Sequence, residues 1–199
     1  MNQQIILATT SKYRKEVFGY AGYDFIAQGS NIEENFKGRP NTPKELVETL
    51  SRLKAENVAK EFKSGLVIGF DSIGHFNGQI LEKPKSKEEA YKRLKSLSGN
   101  KYEFFTGVHI IDLDRQNARS KVVKTEVFMR QLYEDEIKKY LEEDSSFNTY
   151  AQGFDPLQTR GMTFIQKING SYNNILRGIP LESIVEILNE VGDVEKENK

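Results

Sequence analysis

Cysteine is absent from the 199 residues, which excludes disulfides and thiolate metal sites. Histidine is scarce: His75 and His109 are the two present, too few for a histidine-built metal cluster. Neither sign of charge is in excess, because 29 Lys and Arg stand against 29 Asp and Glu. A protein that coats nucleic acid would usually carry a basic surplus. No apolar run approaches the roughly 18 residues of a membrane span. The opening MNQQIILATT lacks the basic and long apolar regions of a signal peptide. These absences point to a soluble, cytoplasmic protein with neither membrane nor nucleic-acid polymer as partner. Asn169-Gly170-Ser171 matches the glycosylation pattern by letter, and without secretion it reads as a turn.

What is present is periodic. The hydrophobic share is a modest 37%, but its arrangement in regular segments favours a folded chain over disorder. Residues 4–8 read as a short buried strand, 12–21 as a helix ending near Gly22, and Tyr23–Ala27 as a second strand. A polar loop follows to Asn41. Thr42-Pro43-Lys44-Glu45 opens a helix to about residue 62, with Thr as cap, Pro at the first turn and Glu closing a capping box. Gly65–Asp71 is a compact strand, and Asn77-Gly78 is a type I′ hairpin signal. Ser86 caps a helix that Gly99 ends. Tyr102–Asp112 and Lys121–Arg130 read as paired strands. Tyr133–Glu143 is a helix, and 145–161 is a loop too long for a mere connector. Met162–Ile168 is a strand, and Pro180 starts the last helix. No repeat or composition break divides the chain, so a single α/β domain over 1–192 with a charged tail at 193–199 is expected.

Two stretches carry candidate chemistry. If Asn77 and Gly78 are the turn residues, Phe76 pairs with Gln79. Stepping back sets Ser72 opposite Lys83 and brings Asp71 near Lys83 at the open end of the hairpin. A carboxylate there could hold Mg²⁺ or orient a water. A structural ion pair at a sheet end is the simpler reading from pairing alone. The second stretch is ILATTSKYRK. A strand-to-helix turn presents free N–H groups and a positive dipole end to anions. Ser11 adds a hydroxyl, and Arg14 adds a forked donor suited to phosphate. A capped, solvated turn is the alternative.

Ordered motifs extend the reading. ILATTSKYRKEVF resembles the LASxSPRRxELL opening of the Maf family of nucleoside triphosphate pyrophosphatases. NIEEN resembles the family's IDE segment, with its acid at Glu34. TLSRLKAENVA resembles RLAxxKA, with its lysine at Lys54. VIGFDSIGHFNGQILEKP is similar to GADTxVxxxGxILGKP and gives Asp71 and Lys83. LSGNKYEFFTGVHIID follows LSGxxHxVxTGVxL. LQTRG matches IQGxG and gives Gln158, and INGSYNNILRGIPLESI resembles IxGSYxNVVGLPL. The matches run in order across nearly the whole chain.

The resemblance implies an elongated, two-lobed, mixed and twisted sheet flanked by helices, related to the inosine triphosphatase architecture. It implies hydrolysis of a nucleoside triphosphate to a monophosphate and pyrophosphate with a divalent metal, Mg²⁺ or Mn²⁺. Asp71 becomes the proton acceptor, Asp71 and Glu34 the metal-facing acids, and Lys83 a third catalytic residue. Ser11, Arg14, Lys54 and Gln158 become substrate contacts. The family also admits a homodimer, although no sequence feature marks an interface. The chain departs from the pattern at the base-selecting positions. Lys12-Tyr13 replaces Pro-Arg, Ser72 replaces Thr, and the Asp-Lys pair of DKAGAYGIQG is missing from 150–159. An aromatic at Tyr13 resembles members that take 7-methyl-GTP, UTP or CTP, whereas Gln158 resembles the dTTP/UTP type. A phosphatase of other phosphoesters and a nucleotide-sensing regulator of cell division without turnover are the competing readings.

Overall fold

In the computed structural model, residues 3–197 are described, with side chains through Glu190. The strands are β1 (Ile5–Ala8), β2 (Phe25–Ala27), β3 (Leu66–Phe76), β4 (Gln79–Leu81), β5 (Lys101–Asp112), β6 (Asn117–Met129) and β7 (Ile165–Asn169). The helices are α1 (Lys12–Tyr20), α2 (Pro43–Ala59), α3 (Lys87–Leu97), α4 (Glu134–Glu143), α5 (Tyr172–Arg177) and α6 (Leu181–Glu197). The strands form one open, mixed sheet in the order β2-β1-β3-β5-β6-β7, with β4 paired to β3. The expected mixed α/β class is thus present.

The chain forms two compact units. The first comprises residues 1–71, 106–123 and 177–199; the second comprises 72–105 and 124–176. β3, β5 and β6 each contribute residues to both units.

In the first unit, β1 runs parallel to both β2 and β3. Alternate residues serve different cores. Ile5, Leu7, Leu66, Ile68 and Phe70 pack with Phe18, Ile184 and Leu188, whereas Ile6, Ala8 and Val67 pack with Ala55 and Val58 of α2. A strand buried on both faces needs a continuous apolar run, which is why IILA and LVIGF lack polar alternation. The same parity points Gly69 and Asp71 toward α2. Gly69 is required there, because a Cβ would lie 2.2 Å from the Ser51 carbonyl oxygen. At Gly107 a Cβ would meet the Val47 carbonyl oxygen at 2.2 Å. Two bare backbones thus let α2 lie close on the sheet.

In the second unit, α3, α4 and the loop after α4 enclose Leu94, Leu97, Tyr102, Tyr140, Phe154 and Phe164. The hairpin ladder pairs Phe76 with Gln79, His75 with Ile80 and Gly74 with Leu81. Asn77 and Gly78 have φ of 49° and 77°, the pair of positive values a type I′ turn demands.

Several boundaries differ from expectation. β3 does not stop at Asp71 but continues to Phe76. β6 begins at Asn117, four residues before the expected start. Met162 and Thr163 belong to a 3₁₀ turn, and β7 starts at Ile165. Thr42 does not cap α2 by accepting an N–H; its hydroxyl donates to Glu45 Oε2 at 2.7 Å. The short helix α5 was not anticipated. Of the expected tail, backbone to Glu197 is α6, and residues 198 and 199 lie outside the described residues.

Candidate active site

Asp71 follows Phe70 on β3, at the place where strand parity turns a side chain toward α2. On α2, the residues against the sheet are Ser51, Ala55 and Val58. Lys54 lies three after Ser51 and four before Val58, so it shares that face. Its ammonium reaches Asp71 Oδ1 at 2.6 Å and Glu34 Oε1 at 2.7 Å. One cation therefore gathers two carboxylates that are 37 positions apart in the chain. The Lys54 side chain is 14% exposed and that of Asp71 9%, while Glu34 is 55% exposed. The pair is shielded on the sheet side and open on the Glu34 side.

Arg14 approaches from the other helix layer. Ser11 caps α1 by accepting the Arg14 N–H at 3.4 Å, which orients the first turn. Arg14 Nε then donates to the Gly178 carbonyl at 2.9 Å, and its guanidinium lies 5.5 Å from the Phe70 ring centre. Burial lowers the Arg14 pKa, and the charges of Asp71 and Glu34 oppose that shift. A guanidinium nevertheless stays protonated near neutrality.

Burial is also the largest influence on Asp71 and raises its pKa. Lys54 and Arg14 pull the value down, and Glu34 pushes it up. Carboxyls perturbed by burial among charges cluster at functional sites and also occur in structural ion-pair networks.

Arg14, Glu34, Lys54 and Asp71 thus meet in the first unit, and Ser11 acts there as a helix cap. Tyr13 is half-buried, and two cations lie near its ring: the Arg177 guanidinium is 4.6 Å and the Lys12 ammonium 4.9 Å from its centre.

Ser72, Lys83 and Gln158 belong to the second unit. The β3–β4 ladder runs from Phe76–Gln79 to Gly74–Leu81, so the expected step to Ser72 opposite Lys83 lies past its end. Lys83 is exposed just beyond β4. Arg93 of α3 donates to the carbonyls of both Glu82 and Ala151, tying the segment of Lys83 to the loop of Gln158. That loop is organised on the buried Asp155. Its Oδ1 accepts from the Leu157 and Gln158 N–H groups at 2.8 and 3.3 Å, and its Oδ2 accepts from the Tyr150 hydroxyl at 2.8 Å. Thr159, next to Gln158, has φ of 58°, a costly value for a β-branched residue.

A family model described as Maf-like protein matches residues 4–191. The chain belongs to the Maf family. The dTTP/UTP pyrophosphatase of Methanosarcina barkeri is 38% identical, covering 96% of this chain and 95% of that one. That of Carboxydothermus hydrogenoformans is 36% identical, covering 95% and 99%, and that of Syntrophus aciditrophicus 34%, covering 98% and 93%. Among solved structures, the Ham1 protein of Staphylococcus aureus aligns with a TM-score of 0.46 at 18% identity, over 64% of this chain and 72% of that one.

The donor set can be compared with the metal that the Maf resemblance implies. Among the described residues, no group of three or more His, Asp or Glu side chains gathers to hold an ion by itself. Asp71 and Glu34 do converge on one atom, Lys54 Nζ. Mg²⁺ is commonly held by one or two carboxylates together with substrate phosphates, and this pair fits that pattern. No helix among the described residues is long and apolar enough to cross a membrane.

Sequence reasoning passed over Arg93, Asp155 and Arg177. Asp155 and Arg177 are buried charges whose burial no periodicity reveals. His75 and His109 are sheet residues; His75 contacts Glu103 and His109 contacts Ser120.

Proposed function

We propose that this chain hydrolyses nucleoside triphosphates of the dTTP and UTP class between the α- and β-phosphates, releasing a monophosphate and pyrophosphate. The observation that carries the reading is the ion-paired set Asp71–Lys54–Glu34 with Arg14, in a chain whose relatives at 34–38% identity are named dTTP/UTP pyrophosphatases.

Asp71 accepts the proton of the attacking water at a carboxylate oxygen. Its raised pKa makes its ionised form a better base than an exposed carboxylate. Lys54 steers the Asp71 carboxylate through the bond to Oδ1. Charge grows on the phosphoryl oxygens as water attacks, and fixed cations stabilise it most where water is excluded. Arg14 supplies such a cation on a rotamer fixed by Gly178. Ser11 sets the turn that presents Arg14. Glu34 and Asp71 are the residues that would hold Mg²⁺ or Mn²⁺, which when bound neutralises phosphate charge and orients the water. The Maf resemblance further implies substrate contacts at Lys83 and Gln158 and a part for Tyr13 and Ser72 in the choice of base. The segments of Lys83 and Gln158 are held by Arg93 and Asp155.

The test is a hydrolysis screen with Mg²⁺ or Mn²⁺ against canonical and modified triphosphates, with pyrophosphate and orthophosphate detected separately. The expected result is pyrophosphate from dTTP and UTP. Orthophosphate instead would mean a phosphatase. No release from a folded sample would move the chain to the sensor reading.

A further inference from the structure

The Maf opening carries two arginines after the serine, and this chain keeps the second as Arg14 and has Tyr13 in place of the first. Another arginine lies against the Tyr13 ring. Arg177 comes from the far end of the chain and sets its guanidinium 4.6 Å from the Tyr13 ring centre. It is 8% exposed. The segment that delivers it also departs from the motif. Where the pattern reads NVVGLPL, this chain reads Asn174-Ile175-Leu176-Arg177-Gly178-Ile179-Pro180-Leu181, one residue longer, with an arginine just before the glycine.

We propose that Arg177 is a phosphate-binding residue of the substrate site, supplying from the segment before α6 the cation that the motif carries at position 13. The proposal rests on reading the Arg14–Asp71 cluster as a triphosphate site. Three observations support it. The Gly178 carbonyl, one residue on, is bonded to Arg14 Nε at 2.9 Å, so the segment is anchored to a side chain of that cluster. Aromatic contact engages the face of a guanidinium, and anions are bound through its edge N–H donors. The ring therefore holds Arg177 in a manner compatible with a phosphate ligand. Finally, Lys12 lies on the same ring at 4.9 Å, so Tyr13 collects positive charge, as an anion site requires.

The experiment is titration calorimetry of inorganic tripolyphosphate, with Mg²⁺, into the full chain and its variants. This readout does not depend on turnover. R177Q keeps most of the volume and removes the charge; we expect binding weaker by about tenfold or more, with R177K in between. The double variant Y13R/R177Q returns the cation to the motif's position and should bind within about threefold of wild type. Unchanged binding in R177Q overturns the proposal. So does weaker binding that Y13R fails to restore, since that is the signature of a structural role. If R177Q does not fold, R177K against wild type carries the test, and equal affinities together with equal KM for dTTP overturn it. A wild-type protein that binds tripolyphosphate through Arg177 but releases no pyrophosphate would instead contradict the hydrolytic reading alone.

Discussion

At the scale of single residues, the site is a balance of burial against charge at Asp71. Burial raises its pKa, so between the ordinary carboxylate range and the raised value the folded state holds a proton that the unfolded state has released. Stability therefore falls as pH rises through that window. D71N should abolish turnover while keeping the fold, and its melting temperature should lose this pH slope. Thermal scans of both proteins from about pH 4 to 8 check this, and parallel curves would contradict it. Lys54 pulls the same pKa down. In K54Q, residual activity should fall by about 10²–10³-fold, and its acid limb should move to higher pH; an unmoved limb in a pH–rate profile would free Asp71 from Lys54. Ordered motifs mark these residues in the sequence. Their partnership is not marked. The hairpin register pointed Asp71 at Lys83, whereas its short ion pair is with Lys54, because helix α2 lies on the strand face where Asp71 emerges. The contact of Tyr13 with Arg177 spans almost the whole chain, and no local pattern encodes it.

At the scale of elements, α2 is held where it can deliver Lys54 by two glycines. In G69A the added methyl would sit 2.2 Å from the Ser51 oxygen and 2.8 Å from the Ala55 nitrogen. Overpacking of this kind costs about 1–3 kcal/mol, or roughly 3–10 °C in melting temperature for a chain of this length. Activity should fall further than stability explains, because Lys54 rides on the displaced helix. Calorimetry with steady-state kinetics checks both. The loop before β7 depends on Asp155 in a comparable way. D155A removes the acceptor for two backbone N–H groups, and trypsin should then cut at the exposed Arg160 about fivefold faster through local opening. Equal digestion rates would mean that Asp155 does not organise the loop. The hairpin was legible because Asn-Gly accepts two positive φ values. α5 was not, since six residues give too few turns for a period to register. β3 was cut short because the polar pair Asp71-Ser72 ends the apolar run, while the strand continues through buried Ile73 and Gly74.

At the scale of the whole molecule, three strands pass through both compact units, which is why no linker or composition break is visible in the sequence. Net charge is zero, so in the proposed reaction attraction for a triphosphate has to be local, from a few cations near the β1–α1 turn and α2. The proposed reaction turns on one step: the Asp71 cluster directs water onto the α-phosphorus. Hydrolysis of dTTP in ¹⁸O-enriched water, read by mass spectrometry, tests it most directly. The expected result is label in dTMP, none in pyrophosphate, and no product from D71N. Label in pyrophosphate, release of orthophosphate, or normal turnover by D71N would contradict it.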